Sequence, residues 1–195
     1  PFIPPDQKAR LEIAEKWFQE KSENMFEHVM SSARADNRVL LETEHAIALI
    51  PYAVQRSYET WIMSKISGDM EGEEHMEEIA ELVRRCLLML YHLRDDPDYN
   101  AVVRQAVPLS ESKKPTTKTS DWYRWHVCIT PHGKQSKWAG IKGYGDFVPV
   151  SGTPEQHTAA MRAFLDVPAP AFASDDCDVG GRSVGTGKDV NGGRE

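Results

Sequence analysis

Cysteine is scarce in this 195-residue chain: Cys86, Cys128 and Cys177 are odd in number, far apart, and form no Cys-x-x-Cys pair. That excludes a disulfide scaffold and a self-contained cysteine zinc site, and it fits a reducing compartment. Long apolar runs are missing too, since none approaches the roughly 20 residues that a membrane-spanning helix requires. The opening stretch from Pro1 to Leu11 has no apolar core of the kind a signal peptide carries. An excess of positive charge is also lacking. Lys and Arg total 23 against 30 Asp and Glu, a net charge of −7. This argues against general nucleic-acid binding, which needs a basic face to neutralise phosphates. The chain begins at Pro1 instead of Met, which points to a fragment, a processed product or an incomplete gene reading.

What is present suits a soluble globular domain with a tail: 40% hydrophobic and 27% charged residues. The charge is unevenly spread. Asp69 to Glu81 is acidic and reads as a solvated helix face, whereas Lys113 to Lys142 is locally basic. The basic stretch suits either a surface loop or contact with a phosphorylated ligand.

Hydrophobic periodicity orders the chain. Leu11, Ala14, Phe18, Met25 and Val29 recur at helical spacing and predict one helix over residues 6–30. The period then shortens: Arg38 to Glu42 and Ala46 to Pro51, around Thr43-Glu44-His45, read as a hairpin. Tyr58 to Ser64 reads as a strand apolar on both faces, hence central. Residues 73–93 carry a wide apolar stripe (Met76, Ile79, Ala80, Val83, Leu87, Leu90, Tyr91) and predict a long helix, stopped at Asp95-Asp96-Pro97. Tyr99 to Val107 and Asp121 to Thr130 read as strands, with a polar loop from Ser110 to Ser120 between them. Trp138 to Val150 reads as a Gly-punctuated extended segment after a turn over His132 to Ser136. Thr153-Pro154-Glu155 starts a last helix that runs to about Leu165. The expected class is α+β: an antiparallel sheet of about five to six strands with a long helix packed on one face. The expected division is 1–34, an N-terminal helix; 35–167, the sheet domain; and 168–195, a tail too poor in large apolar residues to order.

Five blocks in order carry a resemblance. They are Arg38 to Tyr52 (RVLLETEHAIALIPY), Tyr58 to Lys65 (YETWIMSK), Asp96 to Asn100 before Ala106-Val107-Pro108, Asp121 to Pro131 (DWYRWHVCITP), and Trp138 to Gly145 followed by the Thr-Pro-Glu helix start. Together they resemble the C-terminal half of the galactose-1-phosphate uridylyltransferase family, which is histidine-triad-like in fold. ADP-glucose phosphorylases are also similar, so the resemblance leaves the substrate open.

The resemblance implies two histidine-triad-like repeats in a complete enzyme. The first holds a His-Pro-His motif whose imidazole attacks the α-phosphorus of a nucleotide-sugar, forming a uridylyl-enzyme from which sugar 1-phosphate accepts the nucleotidyl group. Imidazole suits this, being nucleophilic and neutral near pH 7. No His-x-His occurs in this chain, so the nucleophile-bearing repeat is expected to be missing and no catalytic residue is assigned. Some family members bind zinc or iron through histidines near the positions of Gln105, Arg124 and His126. Only His126 is an imidazole here, and Arg stays protonated, so no metal or other cofactor is expected in this chain. In the family, the loop after the histidine-rich strand reaches a partner subunit's active site with a Lys-aromatic pair. Lys137 and Trp138 stand at that position, and a cation beside an aromatic platform suits a diphosphate and a sugar or uracil ring.

Each candidate has a plainer reading beside it. His126 is either a core histidine satisfied by a carbonyl or a ligand contact. Arg124 is either a structural ion pair or a phosphate contact; Lys65 is a surface lysine or a phosphate contact. Trp122 and Trp125 are expected on opposite faces, at least one in the core, and Cys86 as a buried small residue. Residues 140–145 lack the Lys-Ser/Thr of a phosphate-binding P-loop and read better as a bulged strand.

The expectation is thus the C-terminal portion of a hexose-1-phosphate uridylyltransferase-like enzyme of galactose metabolism, cytoplasmic and inactive alone. Its substrate contacts would be Lys137, Trp138, His126, Arg124 and Lys65. The expected partners are a UDP-sugar or sugar 1-phosphate, and a second copy or the catalytic repeat, with no nucleic acid or membrane. The alternative is a degenerate, non-catalytic relative that binds a nucleotide or a protein.

Overall fold

The computed structural model describes residues 5–66, 70, 73–106, 119–132 and 150–170. Ser22, with φ of 56°, breaks the single helix expected over residues 6–30. Helix α1 spans Pro5–Lys21 and α2 spans Met25–Ala35. Asn24 restarts the helix: its side-chain oxygen accepts the Phe26 N–H at 2.9 Å, as an N-cap does. Its amide nitrogen also donates to the Asp121 carbonyl at 3.1 Å. The break therefore serves a long-range contact as well as a cap.

Strands β1 (Val39–Glu42) and β2 (Ala46–Leu49) form the expected hairpin, with a register irregularity between Val39 and Leu41. Strand β3 is Thr60–Ser64, β4 is Tyr99–Arg104 and β5 is His126–Pro131. Among the described residues they make one five-stranded antiparallel sheet, ordered β1-β2-β3-β5-β4. The strand expected to be central is central. Helix α3 spans Met76–Arg94 and α5 spans Pro154–Arg162.

Both faces of the sheet are covered. Ala46, Ala48, Ile50, Ile62 and Ile129 cluster with Ile79, Leu82, Cys86, Met89 and Leu90 of α3 and with Met161 of α5. Ile47, Leu49 and Met63, which point the other way, cluster with Leu11, Ala14, Phe26, Met30 and Ala33 of α1 and α2. The period-2 alternation of β2 thus feeds two cores. The stripe on α3 is centred differently from the expected one: Leu82, Cys86 and Met89 are buried, while Ala80 is exposed. Cys86 is buried as expected, and desolvation pushes its thiol up to about 12. Residues 5–35 pack on the sheet.

Only the latter part of the strand expected over Asp121–Thr130 is a strand. Residues Thr119–Trp122 form a short helical turn, α4. Trp122 and Tyr123 are buried with α1 and α2, whereas Trp125 joins the opposite core. A regular strand cannot send Trp122 and Tyr123, which are adjacent, to the same face, so the chain coils before β5 begins. The strand expected over Tyr99–Val107 ends at Arg104. The segment expected over Trp138–Val150 lies almost wholly outside the described residues, as do most of the Ser110–Ser120 loop and the tail from residue 171. Residues 167–170 carry no regular structure.

Arg38 pins these layers together. It is 1% exposed, and its guanidinium donates to the Ile50 carbonyl at 3.0 Å, to Ser32 Oγ at 2.9 Å and to Asp36 Oδ2 at 3.0 Å. A buried cation is tolerated because its two terminal nitrogens meet a carboxylate and two neutral acceptors, with the Glu155 carboxylate 3.9 Å from Nε.

Candidate functional site

His126 opens β5, opposite Met63 of β3 on one side and Arg104 of β4 on the other. Its buried ring packs against Trp61, Phe26 and Tyr123, with centroids 4.9, 5.4 and 6.2 Å away. Nδ1 lies 3.1 Å from the Arg124 carbonyl oxygen. A carbonyl only accepts, so Nδ1 carries the proton and Nε2 keeps its lone pair. Nε2 is buried with no hydrogen-bond partner among the described residues. Burial pulls the imidazole down to about 4, aided by the positive charges of Arg104 and Arg10 and opposed by the Arg124 carbonyl. His126 is therefore a neutral acceptor at physiological pH.

Arg124 stands next to it, and its Nη2 lies 3.0 Å from Glu27 Oε1 of α2. Lys65 belongs to a different network, at the β1–β2 turn. Its Nζ lies 2.9 Å from the Thr43 carbonyl and 3.0 Å from Glu42 Oε1. Glu42 also takes the Arg34 guanidinium at 2.7 Å. The hydrogen bond from Arg34, then that from Lys65, holds the Glu42 carboxyl below its ordinary range. The structure thus brings His126 and Arg124 together and sets Lys65 among other partners. Lys137 and Trp138 lie outside the described residues.

The neighbourhood of Gln105, Arg124 and His126 does not fit a divalent cation. Arg124 carries a permanent charge, and Arg10 and Arg104 add positive potential at the His126 ring. The backbone oxygen of Gln105 accepts the Gln7 amide at 3.1 Å. The surroundings of His126 favour an anion or a neutral donor over a metal.

Glu59, in the second of the five sequence blocks, is buried and fully employed. Its carboxylate accepts Gln55 N–H at 2.8 Å and Trp61 Nε1–H at 2.9 Å, and Cys128 Sγ lies 3.6 Å away. It fixes the loop before β3 instead of facing a ligand.

One cluster was not legible as a site in the sequence. His45, in the β1–β2 turn, and His75, at the start of α3, stack with centroids 3.5 Å apart and planes 4° from parallel. Glu78 Oε1 lies 2.7 Å from His45 Nδ1 and 3.9 Å from His75 Nδ1. The pair His75 and Glu78, three apart on a helix, was a readable signal; the return of His45 to meet them is tertiary.

No family model matches the chain, and no curated protein matches it either. Solved structures do. A uridylyltransferase structure superposes with a TM-score of 0.68 at 22% identity, covering 85% of this chain and 52% of that one. A GalT-like protein from Arabidopsis thaliana gives 0.65 at 20% identity, covering 83% and 52%. An ADP-glucose phosphorylase from Arabidopsis thaliana, with ADP-glucose bound, gives 0.65 at 21% identity, covering 83% and 49%. The chain has the α+β fold of uridylyltransferase-type proteins and spans about half the length of these structures.

Proposed function

We propose that this chain is the C-terminal part of a hexose-1-phosphate uridylyltransferase-like nucleotidyltransferase acting in galactose metabolism in the cytoplasm. It completes the fold and lends substrate contacts without supplying the nucleophile. One observation carries the reading: most of this chain matches only about half of a uridylyltransferase, and none of its histidines stands two residues from another. A uridylylated imidazole, where the reaction needs one, would come from the other half.

In this reading Lys137 and Trp138 meet the diphosphate and the base or sugar ring of a UDP-sugar. His126 offers a neutral acceptor from the sheet. Arg124 and Lys65 meet phosphate oxygens by exchanging their present carboxylate partners, Glu27 and Glu42, for the ligand. Strand β4 supports pairing with a second copy or with the catalytic repeat: among the described residues it is an edge strand with Tyr99, Val102 and Val103 exposed, and open edges invite another chain. Among the described residues no helix is long and apolar enough to cross a membrane. Calorimetric titration with UDP-glucose, alongside a Trp138→Ala variant, tests the substrate contact.

A second reading is a non-catalytic relative that binds a nucleotide or a protein. The Arg124–Glu27 pair favours it, because it closes a position at which an imidazole would be needed for the family's metal. The coding sequence upstream of Pro1 separates the two. A His-Pro-His segment supports the enzyme; an in-frame Met preceded by a stop codon supports the binder.

A further inference from the structure

We infer that His45, His75 and Glu78 form a binding site for one divalent first-row transition ion, zinc foremost. Each offers one ligand atom, and the three atoms lie within 4.8 Å of one another. Two imidazoles and a carboxylate are a recurrent three-residue zinc set that leaves a fourth position for water or another ligand. Metal bonds of about 2.0–2.2 Å at a tetrahedral centre set ligand atoms about 3.3 Å apart. The separations of 2.7 and 3.9 Å between Glu78 Oε1 and the two Nδ1 atoms bracket that spacing. The rings lie parallel, so they must also tilt toward one another to direct both in-plane lone pairs at one ion.

The surroundings hold the three groups in place. Glu78 Oε2 accepts the backbone N–H of His45 at 3.1 Å, leaving Oε1 toward the rings. Supporting hydrogen bonds of this kind orient ligating carboxylates. The His45 turn is tied down by the Lys65 N–H, which donates to the His45 carbonyl at 2.8 Å. His75 occupies the N-cap of α3 but makes no side-chain cap hydrogen bond, so its ring is not committed to the helix. Its backbone N–H is held by Glu73 Oε1 at 2.9 Å.

Electrostatics admit a cation here. A helix N-terminus repels positive charge, but Glu77 and Glu78 stand in the first turn of α3, and Glu44 Oε1 lies 3.8 Å from His45 Nε2. The ammonium of Lys65, whose backbone holds the His45 turn, is engaged by Glu42. The acidic run that reads as a plain solvated face supplies two of the three ligands, His75 and Glu78. This site is separate from the surroundings of His126, and its test does not depend on sugar-nucleotide binding.

The full chain is titrated with cobalt(II), read by visible absorption, and with zinc(II) in competition with a chromophoric chelator. One equivalent should bind, with the d–d bands of a low-coordinate cobalt site. His75→Ala and Glu78→Gln should each weaken uptake by about tenfold or more, since even outer-shell losses cost 10–100-fold. His28→Ala, at an exposed position on α2, should leave it unchanged. Circular dichroism verifies that each variant is folded. Absence of saturable uptake, or uptake that folded His75→Ala and Glu78→Gln retain in full, would overturn the assignment.

Discussion

The guanidinium of Arg124 meets the carboxylate of Glu27 at 3.0 Å, tying the residue before Trp125 to helix α2. The arginine side chain is 14% exposed and the glutamate 43%. This pair should therefore count for more than a surface pair. Glu27→Ala is expected to lower the unfolding free energy by about 1 kcal/mol. Removing Glu12, whose partner Lys8 is largely exposed, should change it by no more than about 0.3 kcal/mol. Urea denaturation of the two variants checks the contrast, and equal effects would count against it.

His126 makes stability depend on pH. Its folded pKa, about 4, lies below the ordinary histidine value because the buried ring disfavours the charged form. The unfolded chain therefore binds a proton that the folded chain refuses, and stability falls as pH drops from about 6.5 to about 4. The full loss is on the order of 3 kcal/mol. The Glu78 carboxyl is held at about 2, first by Thr43 and then by His45, so its contribution is lost only at lower pH. Denaturation midpoints at pH 7 and pH 5 should differ for the natural chain and differ less for His126→Leu.

Helix α5 depends on its start. Thr153 Oγ1 accepts the Gln156 N–H, and the Gln156 side chain accepts the Thr153 N–H. Thr153→Ala should cost about 1 kcal/mol. Gly152→Ala should also destabilise, because φ there is +85° and a Cβ would meet Gln156 Oε1 at 2.8 Å. Hydrogen exchange along α5 would report both, and unchanged protection would argue that the helix is held by packing alone.

The sequence revealed those parts of the fold that follow from local periodicity. The hairpin around His45, the apolar strand ending at Ser64, the long helix before Asp95 and the Thr153 helix start were all readable. The breaks were harder. Asn24 is a fair cap, but five apolar residues run past it at helical spacing, and its bond to Asp121 joins residues 97 apart in the chain. Trp122 and Tyr123 look strand-like, yet both are buried with α1 and α2. At the sites the limit was the same. The surroundings of His126 need Glu27, Arg10 and Arg104 to assemble around it, and His45 reaches His75 only once the sheet and α3 have packed.

The titration of the chain with UDP-glucose bears most directly on its proposed role. Saturable binding that Trp138→Ala loses is the expected result, with ADP-glucose as the comparison that reports the base. No binding at millimolar UDP-glucose, or binding untouched by Trp138→Ala, would contradict the substrate contact proposed for this half.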